Sequence, residues 1–76
     1  MKTYTVTIEQ FANFCGNMLY CKTIAKSAKV DRTGAVKAAA QAIARCEREH
    51  ATIGEYRVYI NEVNHWNEVK TKKRVV

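Results

Sequence analysis

The segment Asp31–His50 constrains the fold more than any other part of this chain. Small apolar side chains recur in it at intervals of three and four residues, the spacing of one face of an α-helix. The members of this stripe are Ala35, Ala38, Ala39, Ala42, Ile43 and Cys46. Asp31 or Thr33 can accept hydrogen bonds from the free N–H groups of the first turn. Because side chains this small let a helix pack closely on a sheet, we expect one helix that lies on the strands.

Two further stretches, Lys2–Ile8 and Glu55–Val63, alternate apolar and polar side chains as half-buried strands do. Their inward-facing members are Tyr4, Val6 and Ile8 in the first stretch and Tyr56, Val58 and Ile60 in the second. Most of these residues are β-branched or aromatic, types that are enriched in strands. Gly54 suits a break between the helix and the second stretch.

The segment Gln10–Val30 allows two interpretations. In the first, Ala12–Asn17 is a loop and Met18–Ser27 is a strand, which makes a β-hairpin. In the second, Thr7 caps one or two helices, whose apolar positions would be Phe11, Phe14, Met18, Cys21, Ala25 and Ala28. Gly16 within this run lowers its helix propensity. We therefore favour the strand.

The C-terminal part also allows two interpretations. Asn61–Lys72 can form a short helix, or Asn64–Asn67 can form a turn that leads into a strand over Glu68–Val75. The strand places Lys70, Lys72 and Arg74 in one row within a basic segment, 68–76. Lysines on an edge strand also discourage unwanted pairing between sheets. We favour the turn and strand.

These elements predict a single α+β domain over residues 1–76. The expected order is β-β-α-β-β, with the alanine-rich helix packed on one face of a small antiparallel sheet. The alternative fold is a winged helix. One helix on four short strands makes a thin core, so homodimerisation or binding to a partner would add stability.

The positive charge of the chain is concentrated in two segments. The formal net charge is +6, and most cations lie within Lys22–Lys37 and Lys70–Arg74. Such clusters either keep a small domain soluble or attract a polyanion or an acidic partner. In the strand interpretation, Tyr20 shares one face with Lys22, Ile24 and Lys26.

Aromatic side chains beside cations serve for stacking on bases or for packing at a protein interface. Tyr59 beside Arg57, and Trp66 in a polar turn, meet this description. The candidate residues for binding a partner or nucleic acid are Tyr20, Lys22, Lys26, Lys29, Arg32, Lys37, Arg57, Tyr59, Trp66, Lys70, Lys72, Lys73 and Arg74.

No residue pattern indicates catalysis, a metal site or a cofactor. The three glycines are isolated, so no phosphate-binding loop is expected. Cys15, Cys21 and Cys46 are odd in number and contain no CxxC pair, so we expect reduced, buried thiols and no zinc site. No membrane span or signal peptide is expected, which points to the cytoplasm. We predict that the protein is not an enzyme.

The predicted order resembles the layout of several small anti-CRISPR proteins of phages and mobile elements. The resemblance rests on the predicted strands at Thr3–Ile8 and Tyr20–Ser27, the predicted helix at Asp31–His50, and the predicted strands at Tyr56–Val63 and Glu68–Val75. The resemblance implies a non-enzymatic inhibitor that binds a CRISPR effector complex in the host cytoplasm and blocks capture or cleavage of target DNA. The rows Lys22, Lys26, Lys29 and Lys70, Lys72, Arg74 would then contact the effector or its nucleic acid.

Two other stretches are similar to phage excisionase-type winged-helix proteins, which bind and bend DNA. They are Tyr4–Ala12, similar to the opening strand, and Tyr56–Asn61, similar to the closing wing strand. This resemblance implies a recognition helix whose groove-facing row is Lys37, Gln41, Arg45 and Arg48. Gly16–Ile53 is longer than a compact helix-turn-helix requires, and the alanine-rich helix has the pattern of a core helix. Direct DNA binding is therefore the alternative function.

Overall fold

Four antiparallel strands and one helix make up the described chain. The computed structural model describes residues 2–50 and 54–76. Its elements are β1 (Thr3–Phe14), β2 (Asn17–Lys26), α1 (Arg32–Arg48), β3 (Glu55–Val63) and β4 (Val69–Arg74). The strands lie in the order β2-β1-β3-β4, so β1 and β3 are central and β2 and β4 form the edges. The predicted β-β-α-β-β order is confirmed.

The β1–β2 hairpin closes on a two-residue turn. Phe14 pairs with Asn17, and the two residues between them, Cys15 and Gly16, have φ angles of 52° and 82°. Positive φ at both central positions matches the right-handed twist of the flanking strands. The predicted strand Met18–Ser27 is confirmed within a residue at each end. The predicted loop Ala12–Asn17 is wrong, because so tight a turn lets Ala12–Phe14 continue β1, and the helical alternative is wrong for the same reason.

Two irregularities in β2 change which residues share a face. The register shifts between Ile8 and Glu9 and again between Gln10 and Phe11. As a result, Tyr20 lies opposite Phe11, whereas Lys22 lies opposite Gln10, the neighbouring β1 residue on the other face. An extra residue in one strand reverses the faces of the residues beyond it. The expectation that Tyr20 and Lys22 share one face is therefore wrong.

Helix α1 begins where the Asp31 side chain caps it. Asp31 Oδ1 accepts a hydrogen bond from the Gly34 N–H at 2.7 Å. The predicted stripe faces the sheet: Ala35, Ala39 and Ala42 are buried, and Ala38, Ile43 and Cys46 pack partly buried beside them. These methyl groups cover Val6, Ile8 and Val58 of the central strands. Burying a valine or isoleucine side chain stabilises a fold by about 1.5–3 kcal/mol.

Gly54 marks a close approach of two backbones at the start of β3. Its φ is +76°, and a Cβ built on it would lie 1.9 Å from the carbonyl oxygen of Phe11. No side chain fits in that space, and L residues rarely adopt such a φ. Glycine therefore lets β3 begin pressed against β1.

The β3–β4 turn is held by one asparagine side chain. Asn64 Oδ1 accepts hydrogen bonds from the backbone N–H groups of Trp66 at 2.9 Å and Glu68 at 3.0 Å. The predicted turn and C-terminal strand are confirmed, and the helical alternative over Asn61–Lys72 is wrong. Asparagine side chains accept hydrogen bonds from nearby backbone N–H groups, and these bonds compete with those of a helix.

The winged-helix alternative is also wrong as a fold. Residues 2–50 and 54–76 contain one helix, whereas a helix-turn-helix needs two. The apolar stripe of that helix is occupied by the sheet. The alanine-rich segment is therefore a core helix.

Candidate binding surface

The face of the sheet opposite α1, here called the bare face, carries a cluster of rings and cations. The aromatic–cationic cluster consists of Phe11, Tyr20, Arg57, Tyr59 and Lys72. The Phe11 ring lies 5.9 Å from that of Tyr20, edge to face, and 6.5 Å from that of Tyr59. The Arg57 guanidinium carbon lies 4.2 Å from the centre of the Phe11 ring, and Lys72 Nζ lies 4.5 Å from the centre of the Tyr59 ring. Both distances are within the range of cation–π attraction.

Strand register explains why these residues meet. Phe11 lies opposite Tyr20 on β2, and Glu9, two residues earlier on the same face, lies opposite Arg57 on β3. On β4, Lys72 lies beside Asn61, two residues from Tyr59. Side chains at alternate positions of a strand point to one face, and directly opposed pairs are in contact. The cluster therefore draws on all four strands.

Beneath the cluster runs a buried polar network. Lys72 Nζ lies 2.7 Å from Glu9 Oε2 and donates to Oε1 at 2.9 Å, while the Thr7 hydroxyl donates to Glu9 Oε2 at 3.2 Å. The Asn61 amide in turn donates to the Thr7 hydroxyl at 3.2 Å. The Glu9 side chain is only 6% exposed, whereas that of Lys72 is 45% exposed. The buried Glu9 carboxylate thus has a cation and a hydroxyl as hydrogen-bond donors, which a buried acidic group needs to be stable.

Two further cations of the bare face, Arg57 and Arg74, are also paired. The Arg57 guanidinium donates two hydrogen bonds to Glu55 Oε1, at 2.6 and 2.9 Å. The hydrogen bonds to Glu55 and Tyr59 raise the pKa of Arg57 above its ordinary value. Arg74 Nη2 approaches the other Glu55 oxygen at 3.5 Å. Most of the charge on this face is therefore neutralised locally.

The structure brings together some of the predicted binding residues and separates others. Tyr20, Arg57, Tyr59, Lys72 and Arg74 lie on the bare face around Phe11. Trp66 is 68% exposed but belongs to the β3–β4 turn, at the opposite end of the sheet, where the centre of its ring lies 3.6 Å from that of His65, with the rings tilted by 39°. The other predicted cations lie outside the cluster; these are Lys22, Lys26, Lys29, Arg32, Lys37, Lys70 and Lys73.

Sequence reasoning missed Phe11, the ring at the centre of the cluster. In the favoured interpretation, the first strand ends at Ile8 and the loop begins at Ala12, so Phe11 belongs to neither element. The available signal was the alternation itself, which continues from Thr3 through Thr7 and Glu9 to Phe11 on one face. Continuing the alternation of the strand beyond Ile8 would have placed Phe11 on the same face as Thr7 and Glu9.

Beside the cluster, the β1–β2 hairpin projects past the first residue of β3. Phe11 is the last β1 residue paired with β3, so Ala12–Leu19 has no neighbour from that strand. Phe14, Leu19 and Tyr20 are 65%, 51% and 55% exposed there. By strand alternation, Tyr20 lies on the bare face beside Phe11, whereas Phe14 and Leu19 lie on the other face of the projecting hairpin, the side on which α1 packs.

The cysteines are free, but two of them are not buried as expected. Cys15, in the turn, and Cys21, beside the second β2 irregularity, are exposed. Only Cys46 on α1 is partly buried, and burial raises the pKa of its thiol. The turn and the irregularity place the first two thiols outside the regular packed strands.

No family model, curated protein or solved structure matches this chain. Within residues 2–50 and 54–76, no helix is both long and apolar enough to cross a membrane.

Proposed function

We propose that the protein is a non-enzymatic inhibitor of the anti-CRISPR type, which binds a nucleic-acid-handling protein complex stoichiometrically through the bare face. The observation that carries this proposal is the aromatic–cationic cluster, in which Phe11 is surrounded by two tyrosines and an arginine on a rigid sheet. Tyrosine and arginine dominate the energetically important centres of protein interfaces.

The charge state of the cluster supports a protein partner over a polyanion. Lys72 and Arg57 are each held by a carboxylate and also cover the faces of Tyr59 and Phe11. Stacking a base on either ring would displace a cation from it. A protein surface can instead pack on the ring edges and on the exposed Tyr20 without breaking these pairs. The partner surface we expect is a shallow apolar pocket with a weakly acidic rim.

The position of Tyr20 on the projecting hairpin supports the same surface. Tyr20 belongs to the cluster, where its ring meets that of Phe11 edge to face, and it is 55% exposed. An aromatic anchor flanked by other contacts that exclude water is the usual arrangement of an interface centre. Tyr20 is therefore the residue expected to contribute most to binding.

A titration of inhibition tests the proposal. Purified single-protein and multi-subunit CRISPR effector complexes, each with its guide RNA and a target duplex, are mixed with increasing amounts of the protein. For the sensitive effector, we expect target capture or cleavage to be abolished at about one molecule per complex. Tyr20→Ala should raise the concentration needed by about 30-fold, the cost of losing a strong interface anchor.

Trp66→Ala is the matched control, since it also truncates an exposed aromatic residue but at the other end of the sheet. It should inhibit as well as the wild type. A large loss with Trp66→Ala and none with Tyr20→Ala would contradict the assignment of the surface. Full activity of every effector at tenfold excess of the protein would overturn the inhibitor proposal, and complete inhibition at a small fraction of one equivalent would show enzymatic action instead.

A further inference from the structure

Helix α1 leaves a cleft open on its β4 side. The helix packs on the central strands β1 and β3, and a cavity of about 370 Å³ lies between it and β4. Five of the side chains that line this cavity are apolar or aromatic, namely Tyr4, Ala35, Val36, Ile60 and Val75. We call this cavity the lateral cleft. It lies on the face of the sheet on which α1 packs, so it is separate from the aromatic–cationic cluster of the bare face.

The apolar walls of the lateral cleft are incompletely buried. Tyr4, Ile60 and Val75 pack only partly buried at the margin of the core, and Val36 on the helix is 59% exposed beside them. Valine forms helices less readily than alanine, so helix stability does not account for its presence at this position. Sites for small ligands are typically cavities of roughly 300–1,000 Å³ with mostly apolar walls. The lateral cleft therefore suits an apolar chain.

The charge available at the lateral cleft is positive. Arg32 of α1 and Lys73 of β4 line it, and within residues 2–50 and 54–76 neither has a carboxylate within 4.0 Å. Glu62 lines the same cavity, but Lys2 and Lys70 approach its two oxygens at 3.5 and 3.9 Å. These two lysines compensate the carboxylate, which leaves Arg32 and Lys73 available to an anion.

We propose that the lateral cleft binds the anion of a medium-chain fatty acid. The acyl chain lies against Val36, Ile60 and Val75, and the carboxylate is bound by Arg32 and Lys73. Arginine can donate two parallel hydrogen bonds to a carboxylate, and lysine adds a second positive charge. A small polar anion such as phosphate would leave the apolar walls in contact with water. An uncharged apolar molecule would leave both cations without a partner, whereas an amphiphilic anion meets both requirements.

A titration of the ¹⁵N-labelled protein with decanoate, below its micellar concentration, tests this proposal. Magnetic resonance spectra should show saturable shifts of the amide signals of Val36, Ile60 and Lys73, and little change at Tyr20. Burial of one methylene group strengthens binding by up to about fourfold, so decanoate should bind about tenfold more tightly than octanoate. Decyltrimethylammonium has the same chain but the opposite charge, and it should bind at least about tenfold more weakly than decanoate.

Two variants separate the charge of the lateral cleft from its apolar walls. Arg32→Gln/Lys73→Gln should weaken decanoate binding about tenfold, the loss expected for two solvent-exposed ion pairs. Val36→Ser removes part of the apolar wall and should weaken it about fivefold. The matched control, Lys22→Gln/Lys26→Gln on β2, lowers the net charge equally and should bind decanoate as the wild type does. Far-UV circular dichroism verifies the fold of each variant.

Other outcomes would overturn the proposal. An equal loss of affinity in Arg32→Gln/Lys73→Gln and in the control would mean that net charge alone attracts the anion. Shifts that do not saturate, or that are confined to the bare face, would place decanoate outside the lateral cleft. Equal affinity for decanoate and decyltrimethylammonium would show that the two cations take no part. Unchanged affinity of Val36→Ser would contradict the placement of the acyl chain.

The fatty-acid proposal and the inhibitor proposal fail independently of each other. Tyr20→Ala should bind decanoate as the wild type does, because Tyr20 lies on the bare face. Arg32→Gln/Lys73→Gln should still abolish the activity of the sensitive effector, with a midpoint close to that of the wild type. Loss of inhibition in this variant with unchanged decanoate affinity would assign the two cations to a protein partner and overturn the fatty-acid proposal.

Discussion

The two faces of the sheet exclude water by different means. On the face covered by α1, Val6, Ile8 and Val58 are 4%, 3% and 0% exposed beneath three buried alanines. On the bare face, no helix covers the strands in the described chain, yet Thr5, Thr7, Glu9 and Asn61 are between 3% and 7% exposed. There, long side chains lie flat over the strands and are held by ion pairs.

This difference separates the residues that stabilise the fold from those available for binding. Apolar burial on the covered face stabilises the folded state without presenting a surface. On the bare face, the same side chains that shield the polar network are themselves the contact surface. We therefore expect substitutions on the covered face to change stability more than binding, and those on the bare face to change both.

The largest expected effect is on the covered face. Ile8→Ala should lower the free energy of unfolding by about 2–4 kcal/mol, because it leaves a cavity between β1 and the alanines of α1. Urea denaturation followed by circular dichroism measures this loss. Ile8→Val is the graded control and should cost about 1 kcal/mol. A loss below 1 kcal/mol for Ile8→Ala would show that the thin core collapses around the missing atoms.

A smaller effect is expected on the bare face. Lys72→Met removes the cation from the buried Glu9 carboxylate and should cost about 1–2 kcal/mol, toward the low end of such penalties because Lys72 is partly solvated. The same denaturation experiment measures it. In Glu9→Gln/Lys72→Met no unpaired charge remains, so the double variant should be more stable than Lys72→Met alone. Equal stability of the wild type and Lys72→Met would mean that the network does not contribute to folding.

The smallest expected effect concerns reactivity and leaves stability unchanged. In single-cysteine variants, Cys15 and Cys21 should react with a disulfide reagent at pH 7.5 at least about tenfold faster than Cys46. Cys46 is partly buried on the covered side, and its raised pKa lowers the fraction of reactive thiolate. In denaturant, the three rates should converge. A fast Cys46 in the native state would show that α1 detaches from the sheet on the time scale of the reaction.

Local pattern was enough to predict most elements of the fold. The alternation in β1 and β3 and the stripe of α1 are set by residues close in sequence, so both strands and the helix were predicted from spacing. The register irregularities in β2 depend on how β1 pairs with it, and no local pattern encodes them. For that reason Tyr20 and Lys22 were assigned to the same face.

The candidate site was less predictable because its contacts are distant in the chain. Of the predicted row Lys70, Lys72 and Arg74, the last two share the bare face, but a register shift between Glu62 and Val63 takes Lys70 out of the row, and it lies 3.9 Å from Glu62 instead. The neutralisation of Lys72 was not foreseen, because its partner Glu9 lies 63 positions away in the chain. Charge counting along the sequence therefore located the cations without showing which ones are free.

The strand order also bears on how the chain folds during synthesis. β1 can pair at once with β2, its neighbour in sequence. Its other edge stays unpaired until β3 has been synthesised, because Ile8 pairs with Val58, fifty residues later in the chain. At ribosomal speeds, that interval lasts roughly 3–10 s. During it, one edge of a strand bearing Val6 and Ile8 has no partner, and unpaired apolar edges promote aggregation. We expect nascent chains of this protein to be most vulnerable to misassembly while β3 is still being synthesised.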